Sequence, residues 1–459
     1  MPTLQRASET EGVPPQDPGG DTLAAGDSPR ATEGCDCRDP AMNDAQPQPA
    51  EISVRAAGMF QEILRRTHLS TGADLGVLVG EEARAIGVDA LVLYLVDYEQ
   101  RLLIPVPSRD ADAREPLSVN GTVGGRAFAT TSILDVEAGG GSGRRVWLPL
   151  LDGTERIGVM EVEFGDHANG VPVAIATPLE RLAHLVAGLI VTKSAYSDFF
   201  ERLRRRQTMT EASELLWELL PPLVLASDDF VLGALLEPCY DVGGDAFDYA
   251  INEDVLQCAI FDGMGHGLAA AGVTAFALSV YRHSRRRGFG PAASYAAIDA
   301  AVAEQYPKNA RFATALIAEL DVSSGRLRWI SAGHPPPLLL RQGRLTKALE
   351  LAPAPPLGMR LATRPPDEGE EWLQPEDMVL LYTDGLTEAR RPGGELFTVE
   401  RLGEFIEREA ATGLAPPELL RRLREAIIER QEGTLHDDAT ALLVEWRSDS
   451  ERTLLPETV

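Results

Sequence analysis

Two segments of this chain share one grammar: Leu256–Phe261 runs into Asp262-Gly263, and Met378–Thr383 runs into Asp384-Gly385. In each, an apolar run of strand length delivers a carboxylate to a glycine turn. Asp245 follows Gly243-Gly244, and Asp437-Asp438 stand before the apolar run Ala439–Trp446. A fold that brings such strand ends together gathers carboxylates that repel one another unless they are protonated or cations sit among them. Oxygen donors without paired thiolates or imidazoles favour Mg²⁺ or Mn²⁺ over Zn²⁺. Phosphoryl hydrolysis is the chemistry expected of such a centre.

At 459 residues the chain exceeds one ordinary core, so two or more domains are expected, and 44% hydrophobic residues can fill them. Forty-three basic against 70 acidic side chains give a formal charge of -27, which argues against nucleic acid or an anionic membrane as partner. The first fifty residues lack a positive start followed by an apolar core, so no secretory signal is expected and the cytoplasm is the expected location. The longest apolar stretch, about Gly267 to Tyr281, is shorter than the roughly 20 residues of a membrane span and reads as a buried helix. Cys35, Cys37, Cys239 and Cys258 show neither zinc spacing nor a disulfide framework.

Residues 1–49 are dense in Pro, Gly, Asp, Ser and Gln and are expected to be disordered, as are 449–459. From Ile52 the pattern turns globular: a helix through Val79 and Ile86, a strand at Ala90–Val96, a helix start at Gly121–Gly125, strands at 145–151 and 157–164 joined at Asp152-Gly153, and an apolar helix near Leu179–Ile190. Gly121-Thr-Val-Gly-Gly125 lacks the Lys-Ser/Thr of a phosphate loop and the spacing of a dinucleotide fingerprint. This order of elements over 52–194 resembles a GAF sensor domain, as a small-molecule sensor or a ligand-free dimerisation module. Residues 195–222 read as a helical linker carrying Leu203, Leu215, Leu216, Leu219 and Leu220 and ending at Pro221-Pro222. It is either a solvated connector or a dimerising signalling helix, which would make the chain a homodimer.

The rest, 223–448, reads as α+β, two packed sheets with helices outside, including a hairpin of Thr314–Leu320 with Arg326–Ile330 and a long amphipathic helix after Pro416. Its motifs are Asp241–Asp248, Phe261–Gly267, Ser331–Leu338, Pro355–Gly358, Leu381–Glu388 and Asp437–Thr440. In this order they resemble the metal-dependent serine/threonine phosphatases of the type 2C class, in the branch of stage II sporulation protein E and the stress-response sigma-factor regulators. The resemblance implies an α-β-β-α sandwich and two Mn²⁺ or Mg²⁺ ions. Asp262 would bridge them, the Gly263 carbonyl and Asp245 would add ligands, and Asp384 and Asp437 would hold the second ion. Between Asp437 and Asp438 the first is preferred by its place in the motif. A water activated by the metals would attack phosphorus directly, with no covalent nucleophile.

By the same resemblance the substrate is a phosphorylated anti-sigma-factor antagonist, with control from the first domain. The rival reading is a catalytically silent scaffold that binds the same partner; retention of all four aspartate positions favours the enzyme. Asp248 is expected to support the site rather than ligate. His266 and His334, each in a Gly or Pro turn, are read as satisfying backbone groups, with a general-acid role as the alternative, and Thr314 as structural.

Overall fold

The computed structural model describes residues 49–108, 114–137, 143–165, 173–307, 311–388, 397–430 and 437–447. Apart from Pro49, which opens the first helix, the tails expected at 1–49 and 449–459 lie outside the described residues. The first half begins with α1 (Pro49–Thr67), α2 (Leu75–Ala83), β1 (Ala90–Val96), β2 (Leu102–Pro105) and β3 (Leu117–Ser118). It continues through α3 (Val123–Thr130), β4 (Leu134–Glu137), β5 (Arg144–Asp152), β6 (Glu155–Phe164) and α4 (Val173–Ser194). The strands form one antiparallel sheet in the order β3-β2-β1-β6-β5-β4.

β1 is apolar throughout because both of its faces are covered. Leu91, Leu93 and Leu95 meet α1, α2 and α4, whereas Val92, Tyr94 and Val96 pack with Phe128 of α3. Thr122 caps α3 by accepting the Gly125 N–H at 3.0 Å, and a Cβ on Gly125 would lie 1.9 Å from the Val119 carbonyl oxygen. The glycine run is thus a helix start forced by close packing. The most membrane-like helix is α4 rather than the 267–281 stretch: over Ala174–Ser194 it is long and apolar enough to cross a bilayer, with mean hydropathy 1.4. Its Leu179, Leu182, Val186 and Ile190 are buried against the sheet.

The expected continuous linker helix is two short ones, α5 (Phe199–Arg204) and α6 (Glu211–Trp217). Arg205 is extended, and Thr210 starts the second helix by accepting the Ser213 N–H. No leucine stripe survives this break. Leu203 packs on the first core, whereas Leu216 is wholly buried in the second.

The second half holds β7 (Val224–Ala226), β8 (Phe230–Glu237), β9 (Asp245–Asn252), β10 (Val255–Gly263), α7 (Leu268–Arg286), α8 (Pro291–Gln305), β11 (Ala313–Asp321) and β12 (Arg326–Ala332). After these come β13 (Leu338–Arg341), β14 (Arg344–Ala348), β15 (Gly369–Trp372), β16 (Met378–Tyr382), α9 (Gly385–Glu388), α10 (Val399–Ala410), α11 (Pro416–Arg430) and β17 (Ala439–Trp446). Two sheets result, β15-β12-β11-β10-β9 and β14-β13-β16-β17-β8-β7. Strand alternation assigns the layers. Cys258 and Ile260 of β10 enter the core between the sheets with Leu232 and Leu442, while Ala259 and Phe261 face Val273 and Tyr281 of α7. On the other sheet Leu380 and Leu443 face Leu402 of α10 and Leu423 of α11. The fold is α+β, helix layers enclosing a sheet sandwich.

Because Leu216 fills the sandwich core and Leu219 is only half-buried outside it, Leu216→Ala is expected to cost about 2–5 kcal/mol and Leu219→Ala less than about 1 kcal/mol. Urea denaturation of the two variants checks this; equal small losses would make the segment a tether.

Candidate metal centre

Strand register brings the aspartates to one end of the sandwich. In the antiparallel ladder of β9 and β10, Asp245 lies directly opposite Asp262, and Asp262 lies opposite Thr314 of β11. β16 ends at Tyr382 beside the start of β17, so Thr383-Asp384 and Asp437-Asp438 reach the same corner from the second sheet. Like charges opposed across a ladder are unfavourable. Burial, then the charges of Asp384, Asp437 and Asp438, push the Asp262 carboxyl up to about 6. Burial and the charges of Asp262 and Asp438 push Asp245 well above the carboxylate range, against the pull of two threonine hydroxyls.

Those hydroxyls were not among the sequence candidates. Thr383 and Thr440 each donate to Asp245 Oδ2 at 2.7 Å, and the Thr440 N–H donates to Thr383 Oγ1. Each Thr lies within a motif already noted, Thr-Asp-Gly and Asp-Asp-Ala-Thr, the one signal in the sequence that touches them. Asp438 accepts the N–H groups of Gly243 (2.6 Å), Gly244 (2.6 Å) and Asp245 (3.2 Å), a cradle of successive amides of the kind that binds anions. Its oxygens are thereby engaged, and Asp437 and Asp384 are the exposed members of the group. The Gly263 carbonyl lies beside Gly244, and a Cβ on Gly263 would sit 2.4 Å from Thr274 Oγ1, so only glycine fits there.

Asp248 is buried and anchors α7 through Arg282 (2.8 Å) and Arg285 (3.0 Å). Burial lowers His334 to about 4, so its ring is neutral. Its Nε2–H donates to the Tyr382 carbonyl at 3.1 Å, leaving Nδ1 to accept from Thr314 Oγ1 at 2.8 Å. His266 is exposed on the loop before α7. Among the described residues no three His, Cys, Asp or Glu side chains are placed to hold a metal ion together. The donor set is nevertheless all oxygen, and its mutual repulsion is what a hard divalent cation relieves. A cavity of about 860 Å³ between β14 and α10 is lined by none of these aspartates.

The chain matches the family model for Stage II sporulation protein E (SpoIIE) over residues 252–447. Over those residues, less than half of its length, the chain is similar to that family. Asp262, Asp384 and Asp437 lie inside the SpoIIE domain match and Asp245 just ahead of it. Protein IcfG of Synechocystis is 26% identical over 244 residues, covering 47% of this chain and 38% of that protein. The phosphoserine phosphatases RsbP and RsbU of Bacillus subtilis are 27% and 24% identical over 35% and 46% of this chain. The matches span 41% and 62% of their lengths, so the chain covers less than two thirds of each of these relatives. Among solved structures, the RsbU and RsbW domains of Rv1364c from Mycobacterium tuberculosis align with TM-score 0.41 and 27% identity, over 50% of this chain and 68% of that one. The SiaA-PP2C domain of Pseudomonas aeruginosa aligns with TM-score 0.42 and 24% identity, over 48% and 86%.

A carboxyl raised in the folded state adds stability that is complete below its unfolded value, about 4, and is lost as pH rises through the folded value. For Asp262 that loss runs through about 6. In EDTA, Asp262→Asn should therefore melt higher than the parent by roughly 2–6 °C at pH 7.5, the gap closing toward pH 4.5. Mn²⁺ should raise the parent's melting temperature and leave the variant's unchanged. Calorimetry in the two buffers reads both; a variant less stable than the metal-free parent at pH 7.5 would contradict the repulsion.

Proposed function

We propose that the chain is a protein serine/threonine phosphatase dependent on Mn²⁺ or Mg²⁺, with a phosphorylated regulatory protein of the anti-sigma-factor-antagonist kind as substrate. The observation that carries this reading is the convergence of five aspartates from the ends of β9, β10, β16 and β17 at one corner, each strand end backed by a buried core. It is supported by the printed activity of the two Bacillus relatives, both phosphoserine phosphatases. Asp262 would hold both cations. Asp245 and the Gly263 carbonyl would complete one site, with Asp384 and Asp437 turning in to the other. When bound, the pair would supply an activated water and charge for the phosphoryl oxygens.

The protein's own share is orientation. Thr383 and Thr440 fix one oxygen of Asp245, leaving the other for a cation. Asp438 is spent on the amide cradle, which supports reading its neighbour Asp437 as the ligand. His334 stays neutral and steadies Thr314 beside Asp262, so it is not read as a proton donor. Nor is a covalent intermediate expected: Cys239 and Cys258 are buried, burial pushing the first well up and the second to about 12, far from the thiolate a nucleophile needs.

The first half is read as a GAF-like regulatory domain, and a small-molecule ligand or a homodimer contact there belongs to the same proposal, as does a cytoplasmic location. Under α3 its sheet is closed by Tyr94, Trp147 and Phe128, and the Tyr94 hydroxyl donates to Glu161, which pairs with Arg114 and Arg145.

Hydrolysis of p-nitrophenyl phosphate and of a phosphoserine protein by the full chain is the direct test. EDTA should abolish both and Mn²⁺ restore them, Asp262→Asn should lower turnover by at least about 100-fold while keeping the fold, and no labelled phosphoenzyme should accumulate. Turnover in excess chelator, or a trapped phosphocysteine, would overturn the proposal.

A further inference from the structure

A seam of buried charge joins the two halves, and α11 is its axis. Arg156 of β6 pairs with Glu418 at 3.4 Å, both side chains nearly inaccessible. Glu418 also holds Arg421 at 2.8 Å, and Arg421 donates to Asn120 Oδ1 at 2.9 Å. One turn on, Arg424 binds Glu237 at the end of β8 and stands 3.9 Å from Glu99 in the turn between β1 and β2. The opposite face of α11, with Leu419, Leu420, Leu423 and Ile427, is packed on the second sheet.

Glu237 opens the segment that ends at Asp245, and nearly every step along it is tied. The Cys239 N–H donates to Glu237 Oε2 (3.2 Å), and its thiol lies between Glu237 Oε1 (3.0 Å) and the Tyr98 carbonyl (3.4 Å). Tyr240 accepts the Arg206 N–H on its hydroxyl (2.9 Å) and the Thr210 N–H on its carbonyl (3.0 Å). The Val242 N–H donates to Ser213 Oγ at 2.8 Å. The next three N–H groups are those that cradle Asp438. A series of polar contacts therefore links the β1–β2 turn of the first half to the aspartate centre, through the ion pair of Glu99 with Arg424, the Glu237–Asp245 segment and its ties to Arg206, Thr210 and Ser213.

We propose that the first half sets the geometry of the aspartate centre through this seam, with Arg424 as the joint between Glu99 and the Glu237–Asp245 segment. Displacing the β1–β2 turn loosens the cradle around Asp438 and weakens divalent-cation binding at the centre. The inference rests on the phosphatase reading for what the centre does, and concerns how its cation affinity is set. The groups that carry it, Glu99 and Arg424, lie outside the catalytic machinery and can be altered without touching the leucines of 195–222.

The test is Mn²⁺ titration of the full chain by calorimetry, beside turnover of p-nitrophenyl phosphate. Glu99→Gln together with Asn120→Ala should raise the Mn²⁺ Kd at least about 5-fold, the lower end of ordinary coupling between sites. Arg424→Gln should do the same, and adding Glu99→Gln to it should change nothing further, because the joint is already broken. Arg326→Gln, which removes an exposed pair with Glu370, should leave the Kd unchanged. A Kd within 2-fold of the parent in the Glu99/Asn120 variant, or full additivity with Arg424→Gln, overturns the proposal. Should that double variant fail to fold, Glu99→Gln alone, expected at about 3-fold, carries the same comparison. A parent that binds Mn²⁺ but hydrolyses no ester defeats the phosphatase reading while the Kd comparison still decides the seam; a parent that binds no Mn²⁺ defeats both.

Discussion

Two reciprocal hydrogen-bond clasps hold the corner of the sandwich where the aspartates meet. Asp438, at the head of β17 in one sheet, accepts three amides of Gly243–Asp245 at the head of β9 in the other. In return, Asp245 of β9 accepts the hydroxyls of Thr383 and Thr440 from the ends of β16 and β17. Sheet packing alone fixes two layers only to within sliding distance, because apolar contacts are non-directional. Hydrogen bonds to a charged acceptor are short and directional, so they set the register of one sheet on the other. Asp262 inherits its place from that register, since it is Asp245's ladder partner.

The arrangement conflicts with stability. Like carboxylates opposed across a ladder and partly desolvated raise one another's proton affinity, as Asp262 and Asp245 show. A sequence selected for stability alone would place neutral side chains here. A bound cation would balance this charge, which is the reason to read an acidic set beside a well-filled core as a candidate site. The core tolerates it because the strain is confined to strand ends, while Ile260 and Leu442, a few residues inward, are wholly buried.

What the sequence could show follows from how local each signal is. The alternation in β10 and the Asp262-Gly263 turn are contiguous patterns, and the hairpin of β11 and β12 is signed by Asp321, which accepts the Ser323 and Ser324 N–H groups. The break at 205–210 was not legible, since arginines and a Thr are compatible with a helix and the reason for stopping lies in Leu216 being drawn into a distant core. α8 escaped because its alanines give no stripe, although Tyr295, Ile298 and Val302 are buried. Thr383 and Thr440 stood inside recognised motifs, yet their role depends on two strands from one sheet meeting a third from the other, which no spacing encodes. The amide cradle that holds Asp438 was likewise not legible, since it lies almost two hundred residues away in the chain.

The charged seam at α11 follows the same physics with a different result. Burying Arg156, Glu418, Arg421 and Arg424 strips their hydration, and such pairs commonly add little net stability over apolar groups of the same shape. Some nitrogens stay without a hydrogen bond, among them Arg156 Nε and both Nη atoms of Arg424, so the desolvation is not fully recovered. An apolar seam would bind the two halves at least as tightly but would leave them free to settle in neighbouring orientations. Charged pairs instead penalise every misfit, because a shifted partner leaves a buried charge unpaired. The buried pairs of α11 therefore disfavour other placements of the two halves around it.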